Sequence, residues 1–487
     1  MSQKPGLCSL SLEQIDNFVL KESIAPLTLK LFAPLALSMM LSSSIGIVDM
    51  YLAACIGSRA QAAVGLGDQL LFLLIVFGTG LASACNSFVS RCKGAGDFHS
   101  CKKFAKCSLL IAFVFGLFAS VLGIFCAEPF LDLLGCGPEL KELAVPYVQF
   151  SSFANAPFVL LLCLSAIFRS LARPALAVYL WLFTAVLSNG LSIALFFSGF
   201  ANSKSLNALA IGWDLGSSMA FVFGMFLYFK IINQTQKNMG SPVAQRAGPG
   251  ELMKSSKQLI LLAAPAVLAE LSLILSQFFV YRFLSGVEHS ASLQAAWTIK
   301  MKIEESLALM PLMALGMSTS VIVGQSVGAN NTSRASYATK QICSASVLTL
   351  FLLGGLISLV SSAMANALGD DAISRQAIVS FLLPSCILYP LCAASSLLIA
   401  AMEGAGQTVI PMLLNLSFLV LARILLTCYF GAHDSTASSA IGWGQCLSQL
   451  LLVAGCLACF PFSLDDKLIY GRKLLGWRTL LRPAEKY

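Results

Sequence analysis

Apolar stretches of about 20 residues, the length a helix needs to cross roughly 30 Å of hydrocarbon, recur from end to end of this 487-residue chain. Backbone in lipid must satisfy its own hydrogen bonds, so the pattern points to an all-α integral membrane protein. Composition agrees: 57% of residues are hydrophobic, 11% are charged and the mean hydropathy is +0.82. Soluble domains carry about 25% charged residues. Reading apolar runs between charged or Gly/Pro-rich breaks predicts twelve spans. The first six lie near 29–54, 66–89, 104–126, 145–168, 175–197 and 208–232. The others lie near 258–284, 295–327, 342–364, 378–402, 409–430 and 437–462. The domain plan is then a tail at 1–28, a six-helix lobe at 29–232, a linker at 233–257, a second six-helix lobe at 258–462 and a tail at 463–487.

Loop charge sets the expected orientation, because Lys and Arg accumulate on the cytoplasmic side. Most of the 31 Lys and Arg residues fall in the N-terminal tail, the loops after even-numbered spans and the C-terminal tail. Both termini are therefore expected in the cytoplasm of a cell (inner) membrane protein. Glu128, Asp132, Glu139 and Glu142, against Lys141, suit the opposite face. The net charge of +8 then reports orientation and calls for no nucleic-acid partner. The tail SLDDKLIYGRKLLGWRTLLRPAEKY interleaves leucines with Arg and Lys and reads either as an interfacial amphipathic segment or as a plain basic tail. The start MSQKPGLCSLSLEQIDNF lacks a basic region followed by a short apolar core, so no cleaved signal peptide is expected. Cys92, Cys101, Cys107 and His99 match no usual zinc spacing and read as free thiols on a basic loop; no metal or cofactor is expected.

Short identities recur in order. AP at 33–34 returns at 264–265, GA at 94–95 at 328–329, and AIGW at 210–213 at 440–443. Six spans per half is an even number, so both halves enter from the same side and form a parallel repeat. Transporters built this way place substrate between two bundles and rock one against the other.

Within that frame Asp49 stands out as the only charged side chain between Leu31 and Gly57. An unpaired carboxylate in hydrocarbon costs several kcal/mol, so such residues usually face a cavity and bind a proton or cation. From the middle of span 1, Asp49 lies roughly 10 Å towards the outer face at 1.5 Å per residue. In the other half, KMKIEE at 300–305 places Lys300 with Glu304, and Lys302 with Glu305, at pairing distance along a helix. These residues either pair internally or touch substrate. Pro34 and Pro265 each fall inside a predicted span and are expected to bend it.

The sequence resembles the multidrug and toxic compound extrusion (MATE) family over about residues 25–462. The motifs that carry the likeness are IVDMYLAACIGSRAQAAVGLGD at 47–68, SRCKGAGD at 90–97, FRSLARP at 168–174, VGQSVGANN at 323–331 and MEGAGQT at 402–408. The resemblance implies a twelve-helix, two-lobed antiporter that expels amphipathic, often cationic compounds using an inward proton or sodium gradient, and a monomer is expected. It matches Asp49 to the family's first-span acid and Asn189 to its polar partner. Asp214, where the repeat has Gly444, is a further candidate acid. One branch carries glutamate eight residues past the span-7 proline; Leu273 stands there and Glu270 lies closer to Pro265. That branch's span-10 acid falls near Cys392 or Ala393. Lacking those hard oxygen ligands, the second lobe favours proton over sodium coupling. Glu270, Glu304 and Glu305 remain possible contacts in that lobe.

Two other functions fit less well. A lipid-linked oligosaccharide flippase of the related superfamily calls for several basic residues at membrane depth, and Arg423 is the clearest one. An intramembrane enzyme needs a nucleophile with a base, or metal ligands, and His99, His289 and His433 all fall in predicted loops.

Overall fold

The computed structural model describes residues 18–133, 138–198, 206–238, 249–369, 371–433 and 437–463. The expected amphipathic tail beyond residue 463, residues 1–17 and residues 239–248 of the expected linker lie outside the described residues. Twelve helices are long and apolar enough to cross a membrane. In the first half these are α1 (Ile24–Ile56), α2 (Arg59–Gly94), α3 (Phe98–Asp132), α4 (Leu140–Ser170), α5 (Pro174–Ser198) and α6 (Leu206–Lys230). The second half has α7 (Gly250–Ser285), α8 (Ser292–Gly328), α9 (Thr332–Leu368), α10 (Ser385–Gly404), α11 (Val409–Gly431) and α12 (Ser438–Pro461). Among the described residues every regular element is helical. The lobe boundaries shift from the sequence reading. Helix runs on to Asn238 and resumes at Pro249, so much of the expected linker at 233–257 is helical.

Three helices carry irregular turns. A 3₁₀ turn at Ser152–Ala154 breaks α4, a π turn at Glu305–Leu309 breaks α8, and a longer π stretch at Asn415–Ala422 lies in α11. Such turns re-aim the side chains beyond them and often lie at functional sites.

Four motif loops close by one device. After α2, α4, α8 and α10 the chain turns through Gly96, Ala172, Asn330 and Gly406, all with positive φ, between 56° and 87°. The next residue's N–H then reaches back to an earlier helical carbonyl: Asp97 to Cys92 at 2.9 Å, Arg173 to Phe168 at 3.0 Å, Asn331 to Ser326 at 2.9 Å and Gln407 to Met402 at 2.8 Å. This is the Schellman closure, which satisfies carbonyls that a helix end leaves bare. Arg169 and Glu403 occupy the same step of it, each accepting through its carbonyl, from Ala172 at 2.8 Å and Gly406 at 2.9 Å. The loops therefore repeat at the level of backbone while their side-chain charges differ.

Small residues set the closest helix contacts, as membrane interfaces without a hydrophobic drive require. A Cβ on Gly212 would sit 2.6 Å from the Ser192 nitrogen, and one on Gly216 would sit 2.7 Å from that of Ser188, which presses α6 against α5. In the second half, a Cβ on Gly444 of α12 would meet Thr427 Oγ1 of α11 at 2.6 Å.

Two compact units result, and their borders fall beside the two helix prolines. The first comprises residues 1–21 and 33–267, the second 22–32 and 268–487. The break in α1 lies just before Pro34 and the break in α7 just after Pro265. These packing units are not the same partition as the lobes read at 29–232 and 258–462, since a proline removes a ladder bond and lets one helix contribute to two packing units. In the second unit Glu22 accepts from Arg334 Nη2 through its carbonyl at 2.6 Å and forms an ion pair with Lys30. In the first, the early part of α7 meets α2 and α3: Cys107 Sγ lies 3.6 Å from the Leu252 carbonyl, and Gly80 abuts Val267.

Candidate functional site

In the first unit the polar residues gather around Asp49. Its helix is apolar because each turn must face lipid or neighbouring helices, and Leu52 and Ala53 beside it belong to a buried cluster with Ala63, Val64, Tyr147 and Val148. Asp49 is 7% exposed, and its Oδ1 is buried with no hydrogen-bond partner among the described residues. The charge of Asp68 on α2 acts on it, and both carboxylates act on the phenol of Tyr147 on α4. Tyr147 donates to Asp68 Oδ1 at 2.8 Å. Asp68 and Tyr147 were not singled out from sequence; the only signal was Asp68 closing the motif that begins near Asp49.

The amide of Asn189 does not bond to Asp49. Its Nδ2 donates to Ser44 Oγ at 3.4 Å, just over one turn earlier on α1, and its Oδ1 is buried without a partner. Asp214 is half-buried, its Oδ1 also unpartnered, and its carboxylate accepts from the backbone N–H of Ala154. Asp214 is partly enclosed where Gly212 and Gly216 let α6 pack closely against α5.

The second unit presents another chemistry. Lys300 is fully buried, with Nζ 2.7 Å from Glu304 Oε2, 3.1 Å from Gln445 Oε1 and 4.4 Å above the Trp297 ring. Lys302 pairs with Glu305 at 2.8 Å on an exposed face. Arg423, 8% exposed, donates from Nη1 to Ser276 Oγ at 2.7 Å and from Nε to Ser448 Oγ at 3.4 Å. Ser448 in turn donates to the Gln445 carbonyl at 2.9 Å, and Gln449 donates to Ser395 at 2.6 Å. Glu304 Oε1 and Trp297 Nε1 are buried without partners, and the hydroxyl of Tyr389 sits beside that of Ser385 with neither aligned for a bond. Glu270 lies outside this network, exposed on α7. Among the described residues no three His, Cys, Asp or Glu side chains converge to hold a metal ion.

Comparison with known proteins matches this arrangement of halves. The MatE family profile matches residues 34–194 and again 265–429, together more than half of the chain. The probable multidrug resistance protein NorM of Rhizobium meliloti is 28% identical over 157 residues, which covers 32% of this chain and 33% of NorM. The chain thus spans about a third of that relative's length. The probable multidrug resistance protein YoeA of Bacillus subtilis is 25% identical over 327 residues, 66% of this chain and 68% of YoeA. A crystal structure of a mutant of the Vibrio cholerae MATE transporter VcmN shares the fold, with a TM-score of 0.80 at 18% identity over 92% of this chain and 99% of that one.

Proposed function

The chain belongs to the MatE family of membrane transporters, and on that premise we propose that it is a secondary active efflux antiporter. Its substrates are amphipathic, mainly cationic compounds, exchanged for protons by alternating access. The observation that carries this reading is the buried, unpartnered carboxylate of Asp49 in a span with no cation beside it. A carboxylate in that position holds either a proton or a cation, and each excludes the other. Exclusive occupancy is the minimum an antiporter requires.

Asp68 and Tyr147 extend the site. A second negative charge near Asp49 disfavours having both carboxylates empty, so at least one proton or one cationic ligand is retained. Asp214, with its backbone donor from Ala154, is a separate acid that serves the same exchange. Asn189 acts through Ser44, holding the turn of α1 from which Asp49 projects.

The test is dye efflux from proteoliposomes containing the full chain under an imposed pH or sodium gradient. Ethidium efflux driven by the pH gradient is expected, with Asp49→Asn slowing it by about tenfold or more. Efflux driven by sodium alone would transfer the coupling to that ion, and full activity in the Asn variant would remove Asp49 from the site.

A further inference from the structure

We propose that the second unit contains a binding site for a single anionic group, centred on Arg423 and Lys300, that takes the carboxylate of an amphipathic ligand. Charge balance is the first ground. Lys300, Arg423 and Glu304 all act electrostatically on the thiol of Cys392, so the three form one cluster. Two cations face one carboxylate. Lys300 already engages Glu304 at 2.7 Å, whereas Arg423 has no carboxylate within 4.0 Å among the described residues and meets only the neutral hydroxyls of Ser276 and Ser448. A guanidinium buried at membrane depth with a positive charge left over is costly until an anion answers it.

Hydrogen-bond balance is the second ground, and it is independent of the first. Trp297 Nε1 is a buried donor with nothing to donate to, and the Tyr389 hydroxyl is unaligned. Arg423 uses Nη1 and Nε on the serines, leaving Nη2 without a described acceptor. A surplus of donors around surplus positive charge suits a group that is acceptor-only and negative. A carboxylate has that character, and its planar pair of oxygens matches the guanidinium fork. Glu304 Oε1 is an orphan acceptor among them, and it belongs to the carboxylate that Lys300 already holds. Chloride offers the same charge and acceptor character without the planar pair.

A matched dye pair separates these cases: rhodamine B, which bears a free carboxylate, and its ethyl ester, which does not. Binding to the purified full-length protein is followed by fluorescence anisotropy in sodium gluconate and in sodium chloride. The expected result is tighter binding of rhodamine B than of the ester, with Arg423→Gln weakening rhodamine B by about tenfold and leaving the ester unchanged, as loss of one charged hydrogen bond predicts. If instead chloride raises the melting temperature of the native protein but not of Arg423→Gln, while the two dyes bind alike, the carboxylate assignment is overturned and the cluster holds a small inorganic anion. Equal binding of both dyes by both proteins, with no effect of chloride, overturns the proposal. Should Arg423→Gln fail to fold, Arg423→Lys replaces it. Discrimination between the dyes that falls with loss of the guanidinium fork supports the site, and equal affinities in native and Lys proteins overturn it. Asp49→Asn is expected to leave the dye preference intact, so failure here and failure of the antiport reading are distinguishable.

Discussion

Among the described residues, the first unit buries the Asp49 carboxylate without an ion-pair partner, whereas the second buries two cations, Lys300 and Arg423, around the single carboxylate of Glu304. The halves descend from one repeated pattern, as the twofold family match and the four identical loop closures show. Their backbones have been kept while their polar chemistry has parted. Two equivalent places make this concrete. Asp49 lies as far beyond Pro34 as Val280 lies beyond Pro265, and Val280 is fully buried in an apolar setting. Asp214 follows AIGW in the first half, and Gly444 follows it in the second, where close contact with Thr427 leaves no room for a side chain. A repeat thus supplies two scaffolds, and divergence at a few positions lets each hold a group of different charge.

The comparison is broken most forcefully at Lys300. Replacing it with Met strands Glu304 in the interior, and a loss of about 3–5 kcal/mol is expected in unfolding measurements. Restoring most of that loss with the double change Lys300→Met and Glu304→Leu would establish that the pair is held against the cost of burial. Next in size are Gly216→Ala and Gly444→Ala, each expected to cost about 1–3 kcal/mol through overpacking against Ser188 or Thr427. Similar losses at both places, read from thermal melts, would show that close helix contact limits the two halves alike. A smaller effect is expected at Asp49. Because its Oδ1 has no partner to lose, Asn there should change stability by about 1 kcal/mol or less while transport falls. A large destabilisation would make Asp49 structural and erase the contrast with Lys300.

The smallest effect belongs to an exposed loop. The hydrogen bond from Ser292 at 2.6 Å, together with the Ser374 N–H at 2.5 Å, holds the Asp371 carboxyl below the usual carboxylate range. A lowered folded-state value means that its contribution is present above the unfolded value and is lost as pH falls through the folded one. Asp371→Asn should therefore lower the melting temperature slightly near pH 7 and flatten its acid-side slope, so that the two proteins converge at low pH.

Much of the fold was legible because lipid imposes its own grammar. Twelve spans and their duplication follow from apolar length and ordered identities. The site was legible only in part. Asp49 announced itself as a charge without apolar justification, yet Asp68 and Tyr147 stand near it through helix packing, which no local pattern records. Asn189 carried a suitable amide, but helix packing gave it Ser44 as its partner instead.

Lys300 with Glu304 and Lys302 with Glu305 mark the limit most clearly. Helical spacing determined both pairs from sequence, since residues three or four apart lie on one face. Tertiary structure alone decided that the first is buried against Trp297 and Gln445 while the second faces outwards. The reason is physical: spacing fixes neighbours along a helix, but burial is set by which other helices close over each face.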